Sequence, residues 1–443
     1  MVFRDCNDIN ATFISLRSLI MRGLQIMKKI FFGIGSGLLM MLFCLTNVFA
    51  GEISILVDEL VKRDILSPVE AQIILDETKQ QVAKEIAEQK SYAVPSWVQK
   101  VKLKGDLRLR YQSEEKDSTK SGKVSTSKRE RGRVRIRVGA EAKVTEGCKL
   151  NFGLASGGSD PRSTNQTFQD NFSTKGINLD YAYANFSPMQ GLNILGGKIK
   201  GKKTIWMNSD LLWDGDVNPE GIALKATVPG TDFFVNTAYF VLDEIKKYAD
   251  PTMVVVQPGL KMEIMDGLIL KSALNYYAFN SIQGLDYSNI YEGGETNTLT
   301  SDSHLKYDYD AWGFSTEWAM KDVVPGMINY TAVFTDYISN LDPSDQNTGY
   351  LVGFKFGDKK VAKPGTWQTK ALYRELEKDA WPDFLADSDL LGGITDAKGY
   401  ELIFKYALAK NVVLGFDFYN TETIKAVNKK EQTLFQADCV FKF

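Results

Sequence analysis

Residues 431–443 (EQTLFQADCVFKF) alternate with period two up to the last position. Phe435, Ala437, Cys439, Phe441 and Phe443 fall on one face, and Gln436, Asp438, Val440 and Lys442 on the other, which is the repeat of a β-strand between two unlike environments. Terminal segments fray unless a sheet ties them down, so a strand ending on an apolar aromatic implies a partner strand and an apolar surrounding.

The alternation recurs from Lys100 onward. Val101, Leu103, Leu107, Leu109 and Tyr111 alternate with Lys102, Lys104, Arg108 and Arg110, and Val134, Ile136 and Val138 alternate with Arg131, Arg133, Arg135 and Arg137. Further strands are expected near 149–156, 177–187, 192–200, 221–228, 232–242, 253–264, 268–279, 307–320, 327–338, 349–357, 366–376, 399–409, 411–421 and 432–443, making sixteen. Many approach the roughly nine to eleven residues that a tilted strand needs to cross a bilayer.

The connections carry the second half of the inference. Those after odd strands read as long and polar, at 112–131, 157–176, 201–220, 243–252, 280–306, 339–348, 377–398 and 422–431, whereas the others are mostly tight. A sandwich has no reason to gather its long connections on one rim, but a membrane barrel has long external loops and short turns on the opposite side. The expected fold is therefore an all-β transmembrane barrel of sixteen antiparallel strands over 99–443, with its apolar face turned to outer-membrane lipid and its charged face to water.

Ahead of the barrel, 51–98 reads as a helical segment and linker outside the membrane. Ser67, Pro68 and Glu70 form a capping-box start for a helix expected over 68–89, with Ala71, Ile74, Leu75 and Thr78 near one face. Residues 1–50 read as an upstream extension plus a secretory signal, with translation starting at Met27 and cleavage after Ala50. No run past residue 50 has the eighteen apolar residues of a membrane-spanning helix.

Composition removes whole classes of chemistry. The chain has 53 basic against 55 acidic residues, which disfavours a nucleic-acid partner, and one histidine, His304, which leaves little for a metal cluster or a catalytic triad. Cys148 and Cys439 are the cysteines beyond the signal, too few for a disulfide framework. Asp214, Asp216 and Asn218 have the look of a calcium loop, but Pro219 stands where glycine is needed and Lys225 where the closing glutamate belongs. No cofactor, metal or catalytic residue is expected.

The chain resembles the porin families of Gram-negative outer membranes, which carry a short helical segment followed by a first strand like residues 104–111 (KGDLRLRY) and a final strand ending in phenylalanine. The resemblance implies a passive channel for small hydrophilic solutes or ions, assembled by the barrel-assembly machinery, with Phe441 and Phe443 as the assembly signal. It also implies a homotrimer. A closed barrel serving as an anchor or adhesin and, less favoured, an outer-membrane hydrolase are the alternatives.

Within such a pore, Lys102, Lys104, Arg108, Arg110, Arg131, Arg133, Arg135 and Arg137 would line the lumen as a basic ladder. Two readings stand: a solvated wall neutralised by acids such as Glu317, Glu401, Asp417 and Asp438, or an anion-attracting track. The third long connection, with Asp210, Asp214, Asp216 and Glu220 beside two tryptophans, suits a loop folded inward to constrict the pore opposite the ladder, and equally an ordinary surface loop.

Overall fold

The computed structural model describes residues 57, 59–63, 65–78, 80, 100–246, 249–289 and 296–443. The chain divides into two units, Met1–Pro95 and Ser96–Phe443. In the first, residues 68–78 are helical. The Ser67 N–H donates to the Glu70 carboxylate at 2.9 Å, and the Glu70 N–H donates back to Ser67 Oγ at 3.3 Å, which is the capping box that the sequence calls for. The signal segment, the second half of the expected helix and the linker lie outside the described residues.

The second unit is one antiparallel sheet closed on itself. Its first strands are β1 (Val101–Lys120), β2 (Lys123–Thr145), β3 (Cys148–Ser156) and the two-residue β4 (Gln166–Thr167). There follow β5 (Ile177–Met189), β6 (Leu192–Lys198), β7 (Glu220–Thr227), β8 (Phe233–Val241), β9 (Thr252–Met265) and β10 (Leu268–Asn280). The last seven are β11 (Ala311–Val324), β12 (Ile328–Asn340), β13 (Thr348–Gly357), β14 (Trp367–Leu376), β15 (Ala397–Ala409), β16 (Val412–Thr423) and β17 (Lys429–Lys442). β4 is a side strand pairing with β2 at Arg133 and Val134, so sixteen strands make the wall. The barrel closes between β1 and β17, from Asp106 opposite Lys442 to Thr119 opposite Lys429. Closure satisfies the edges that would otherwise face lipid unpaired.

The side chains sort as the alternation requires. Trp312, Phe314, Trp318 and Met320 on β11, and Tyr400, Leu402, Phe404, Tyr406 and Leu408 on β15, are all exposed on the outer face. An exposed apolar surface of this extent suits hydrocarbon and not water. The inner positions include buried polar groups such as Asn236, Gln257 and Asn275, and Gln257 bonds to both neighbours across the strands at 2.7 and 2.6 Å.

Four features depart from expectation. The first connection is not a twenty-residue loop: β1 and β2 run on as a hairpin to a tight turn at Ser121 (φ 51°) and Gly122 (φ 76°). Both faces of that extension are polar, so hydrophobicity loses its period there although the backbone stays extended. The final long connection likewise shrinks, because β16 reaches Thr423 and β17 starts at Lys429, while β11 begins later than expected, at Ala311. The lumen is also not uniformly wet. A cluster including Ile199, Leu211, Trp213, Phe240, Met253, Tyr277, Ile338, Leu376 and Trp381 fills one sector, built from inner residues of β6–β14 and from loops that fold inward.

Candidate functional site

The loop between β6 and β7 enters the lumen because its apolar residues have nowhere else to bury. Ile199, Ile205 and Leu211 are almost fully enclosed, and the Trp206 N–H donates to Gln257 Oε1 on the wall at 2.8 Å. Asn208 Nδ2 donates to the Thr316 carbonyl at 2.7 Å. A second loop, 377–396, folds in to meet it: Trp381 Nε1 donates to the Leu212 carbonyl at 2.7 Å, and the Ser388 N–H donates to Asp214 Oδ2 at 2.8 Å. Arg162, on the loop between β3 and β5, fastens the second loop by donating to the carbonyls of Asp383 and Gly393 at 2.9 and 3.0 Å.

These loops narrow the lumen against the arginines of β1 and β2. Arg137 donates to Asp216 at 3.1 Å, so the ladder and the inward loop touch. Asp106 takes Arg135 at 2.6 Å and Arg137 at 3.1 Å, while Asp438 takes Arg110 at 2.7 Å and lies 3.6 Å from Arg108. Arg131 is 3.9 Å from Glu114. Arg133 differs, since its guanidinium donates to the neutral groups Gln112 Oε1 at 3.1 Å and Ser163 Oγ at 3.4 Å.

A cavity of about 650 Å³ lies here, lined by Arg108, Arg110, Arg131, Arg133, Arg135 and Arg137 together with Asp210, Asp214, Asp216, Glu401 and Asp417. The same lining contains residues that the alternation did not single out, Arg162, Lys202, Lys370, Asp387 and Asp389, together with Lys405, which the alternation of β15 sets opposite its lipid-facing residues. A usable signal for loop 377–396 was present in Trp381, Phe384, Leu385, Leu390 and Leu391, apolar residues in a connection that would be polar if it faced only solvent.

Arg374 on β14 organises the acids. Its Nη1 lies 2.9 Å from Asp210 and 2.8 Å from Asp387, and Nη2 donates to Glu401. Carboxylate oxygens of these three acids lie within 4.8 Å of one another, the spacing of a cation site, and the guanidinium bonds to all three. The loop acids respond to their neighbours. Burial and the adjacent Asp216 push Asp214 up to about 7, against the opposing pull of the Asp216 and Ser388 N–H groups. Burial would also raise Asp216, but Arg135, Arg137 and Arg108 outweigh it and hold that carboxyl below its usual range.

Other residues singled out from the sequence lie elsewhere. Lys102 and Lys104 are exposed, on the side of β1 shared with Arg108 but nearer its start. Glu317 bonds to Lys355 and Tyr330 on the wall, outside the cavity lining. Glu220 begins β7 as an exposed partner of Lys198 at 2.8 Å, away from the arginines. Phe441 and Phe443 sit on the outer face, and the Phe443 N–H and carbonyl pair with Gly105 at 3.0 and 2.9 Å across the closure.

A closed sixteen-stranded barrel with an outward apolar band and a charged, loop-narrowed lumen is the architecture of an outer-membrane channel. The chain belongs to the family described as "Putative porin", whose model matches residues 52–126, 122–315 and 328–443. The solved structure of Pseudomonas putida OprB at high pH is similar at 11% identity with a TM-score of 0.50, covering 80% of this chain and 97% of that one. A mutant of the Rh. blastica porin (11% identity, TM-score 0.45, 77% and 100% covered) and Salmonella typhi OmpF in complex with daunomycin (9%, 0.44, 77% and 97%) also match. No curated protein matches the chain.

Proposed function

We propose that the barrel is a passive diffusion channel for small hydrophilic solutes with a preference for anions, residing in the outer membrane of a Gram-negative bacterium. The observation that carries the preference is Arg133, a ladder arginine whose hydrogen-bond partners, Gln112 and Ser163, are neutral. Its charge is left for a passing solute, whereas Arg110, Arg135 and Arg137 are held by carboxylates. Rings of arginine and lysine along a narrow lumen favour anions. Assembly as a homotrimer by the barrel-assembly machinery accords with the family and with the closing strand that ends at Phe443.

The apolar cluster in one lumen sector favours a second reading, a barrel plugged by its own loops and serving as an anchor. Conductance in a planar bilayer separates the two. Channel events with a reversal potential on the anion side support the first reading; a silent, correctly inserted barrel sinks it.

A further inference from the structure

The lumen wall carries a second set of cations, distinct from the arginine ladder. The register sets Lys261 of β9 directly opposite Lys271 of β10, and Lys355 of β13 directly opposite Lys370 of β14. All four share the inward alternation: Gln257 and Asn275, in step with the first pair, bond to each other inside, and Leu351 and Arg374, in step with the second, are buried. Like charges placed directly opposite on one sheet face destabilise it. The fold does not require them there, since this wall is elsewhere built from neutral Asn236, Gln257 and Asn275.

Compensation is sparse. Glu317 faces Lys271 in register, but its carboxylate is bonded to Lys355. Lys271 instead lies over the Trp206 ring at 4.2 Å, which cushions an ammonium without neutralising it. Among the described residues, Lys225, Lys261, Lys271, Lys370 and Lys405 have no carboxylate within 4.0 Å. Each of these lysines sits in the half of its strand nearest the barrel end at which β7 joins β8, β9 joins β10, β13 joins β14 and β15 joins β16. Lys370 and Lys405 also line the charged cavity, so the lysines begin where the arginines end.

We propose that the facing pair Lys261–Lys271, with Lys225, Lys370 and Lys405, forms a second anion-binding station at that end of the lumen, for small multivalent oxyanions bearing phosphate or carboxylate groups. The station rests on the anion-preferring channel reading only in that solutes reach it through the lumen. Opposed residues stand about 4.5–5.5 Å apart at their Cβ atoms, so two ammonium groups can share one oxyanion. Lysine is a rotatable point charge and not a planar fork, which fits a class of oxyanions better than a single shape. A singly charged solute gains less from such a pair.

The test uses the full-length, folded barrel in detergent and inorganic pyrophosphate as probe, with binding followed by calorimetry at low ionic strength. The triple variant K225Q/K261Q/K271Q is expected to bind about tenfold more weakly, a change equal to about 1.4 kcal/mol, and the deficit should fade as salt screens the charges. K271R, which keeps the charge, should bind like the parent and shows that loss reflects charge and not misfolding. The station is overturned if the parent does not bind pyrophosphate, or if the triple variant binds as the parent does while R131Q/R133Q loses binding. Lysine-dependent binding in a barrel without anion-selective conductance would remove the functional reading above and leave this station standing.

Discussion

Arg374 Nη1 lies 2.9 Å from Asp210, joining the wall at β14 to the inward loop between β6 and β7. The same nitrogen reaches Asp387 at 2.8 Å, so one guanidinium ties two loops to the barrel. Both Arg374 and Asp387 are almost fully buried, and a buried charge stripped of its partner is far costlier than a pair replaced whole. The inward loops are thus held by a charge network at one end and by the Trp213–Trp381 apolar cluster at the other.

Replacing Arg374 with methionine leaves Asp210, Asp387 and Glu401 crowded without a cation. The expected loss is on the order of 3 kcal/mol in stability, measured by denaturant unfolding of the detergent-solubilised barrel. R374K should fall between, because lysine keeps the charge but not the fork. Loops 199–219 and 377–396 should become protease-sensitive while the wall stays resistant. An R374M barrel as stable as the parent, with loops equally protected, would show that the apolar cluster alone holds them.

Asp214 gives the loops a pH dependence of definite sign. Its carboxyl is raised from 3.8 to about 7 in the folded chain, so the folded state holds its proton more tightly than the unfolded one. That contribution is fully present below about pH 4 and is lost as pH rises through about 7. D214N should therefore match the parent in acid and exceed it in stability above neutrality. Anion preference should also decline in the parent as Asp214 ionises within the cavity, and not in D214N. Superimposable pH profiles for the two proteins, in stability and in reversal potential, would refute this.

How much of this was legible beforehand follows from what sets each feature. The wall was readable because a lipid-facing strand must alternate, as Trp312 to Met320 and Tyr400 to Leu408 do. The β1–β2 extension past Ser113 was not, because beyond the lipid both faces meet water and hydrophobicity carries no period. The inward course of the third loop is one of two readings that its tryptophans and acids allow, the other being an ordinary surface loop. Loop 377–396 reads as polar by its length and charge, although Trp381 and Leu385 carry the same signal. The meeting of Arg374 with Asp210 and Asp387 depends on where two loops cross inside the barrel, and spacing along the chain does not encode that. Glu220 shows the converse: an acid beside the right loop, spent on Lys198 at the strand end.

Barrel closure makes its own prediction. Gly105 lies between Arg137 and Phe443, and a Cβ there would run into the Phe443 ring and the Arg137 carbonyl oxygen. Deleting Phe443 removes two backbone hydrogen bonds at the seam, and G105L forces the ring away. Both changes should lower the folded, membrane-inserted fraction, read as heat-modifiable migration on gels, with the deletion more severe if its terminal position matters to assembly. Normal insertion of the deletion variant would remove Phe443 from the assembly signal.

The arginine ladder supplies the sharpest electrical test, because the structure separates residues that the sequence treats alike. Arg135 is bound to Asp106 at 2.6 Å, so reversing its charge also unbalances Asp106 and its other partner, Arg137. Arg133 bonds to neutral Gln112 and Ser163, so R133E changes the field of the lumen while disturbing little else. In channels shown to be inserted and of normal size, R133E should move the reversal potential toward cations at low salt. The shift should shrink as salt rises, since screening shortens to about 8 Å near physiological ionic strength. R133Q should give roughly half the shift, as one charge is removed and none is added. If R133E leaves the reversal potential where it was at low salt, the arginine is a solvated wall residue and selectivity is set elsewhere in the lumen.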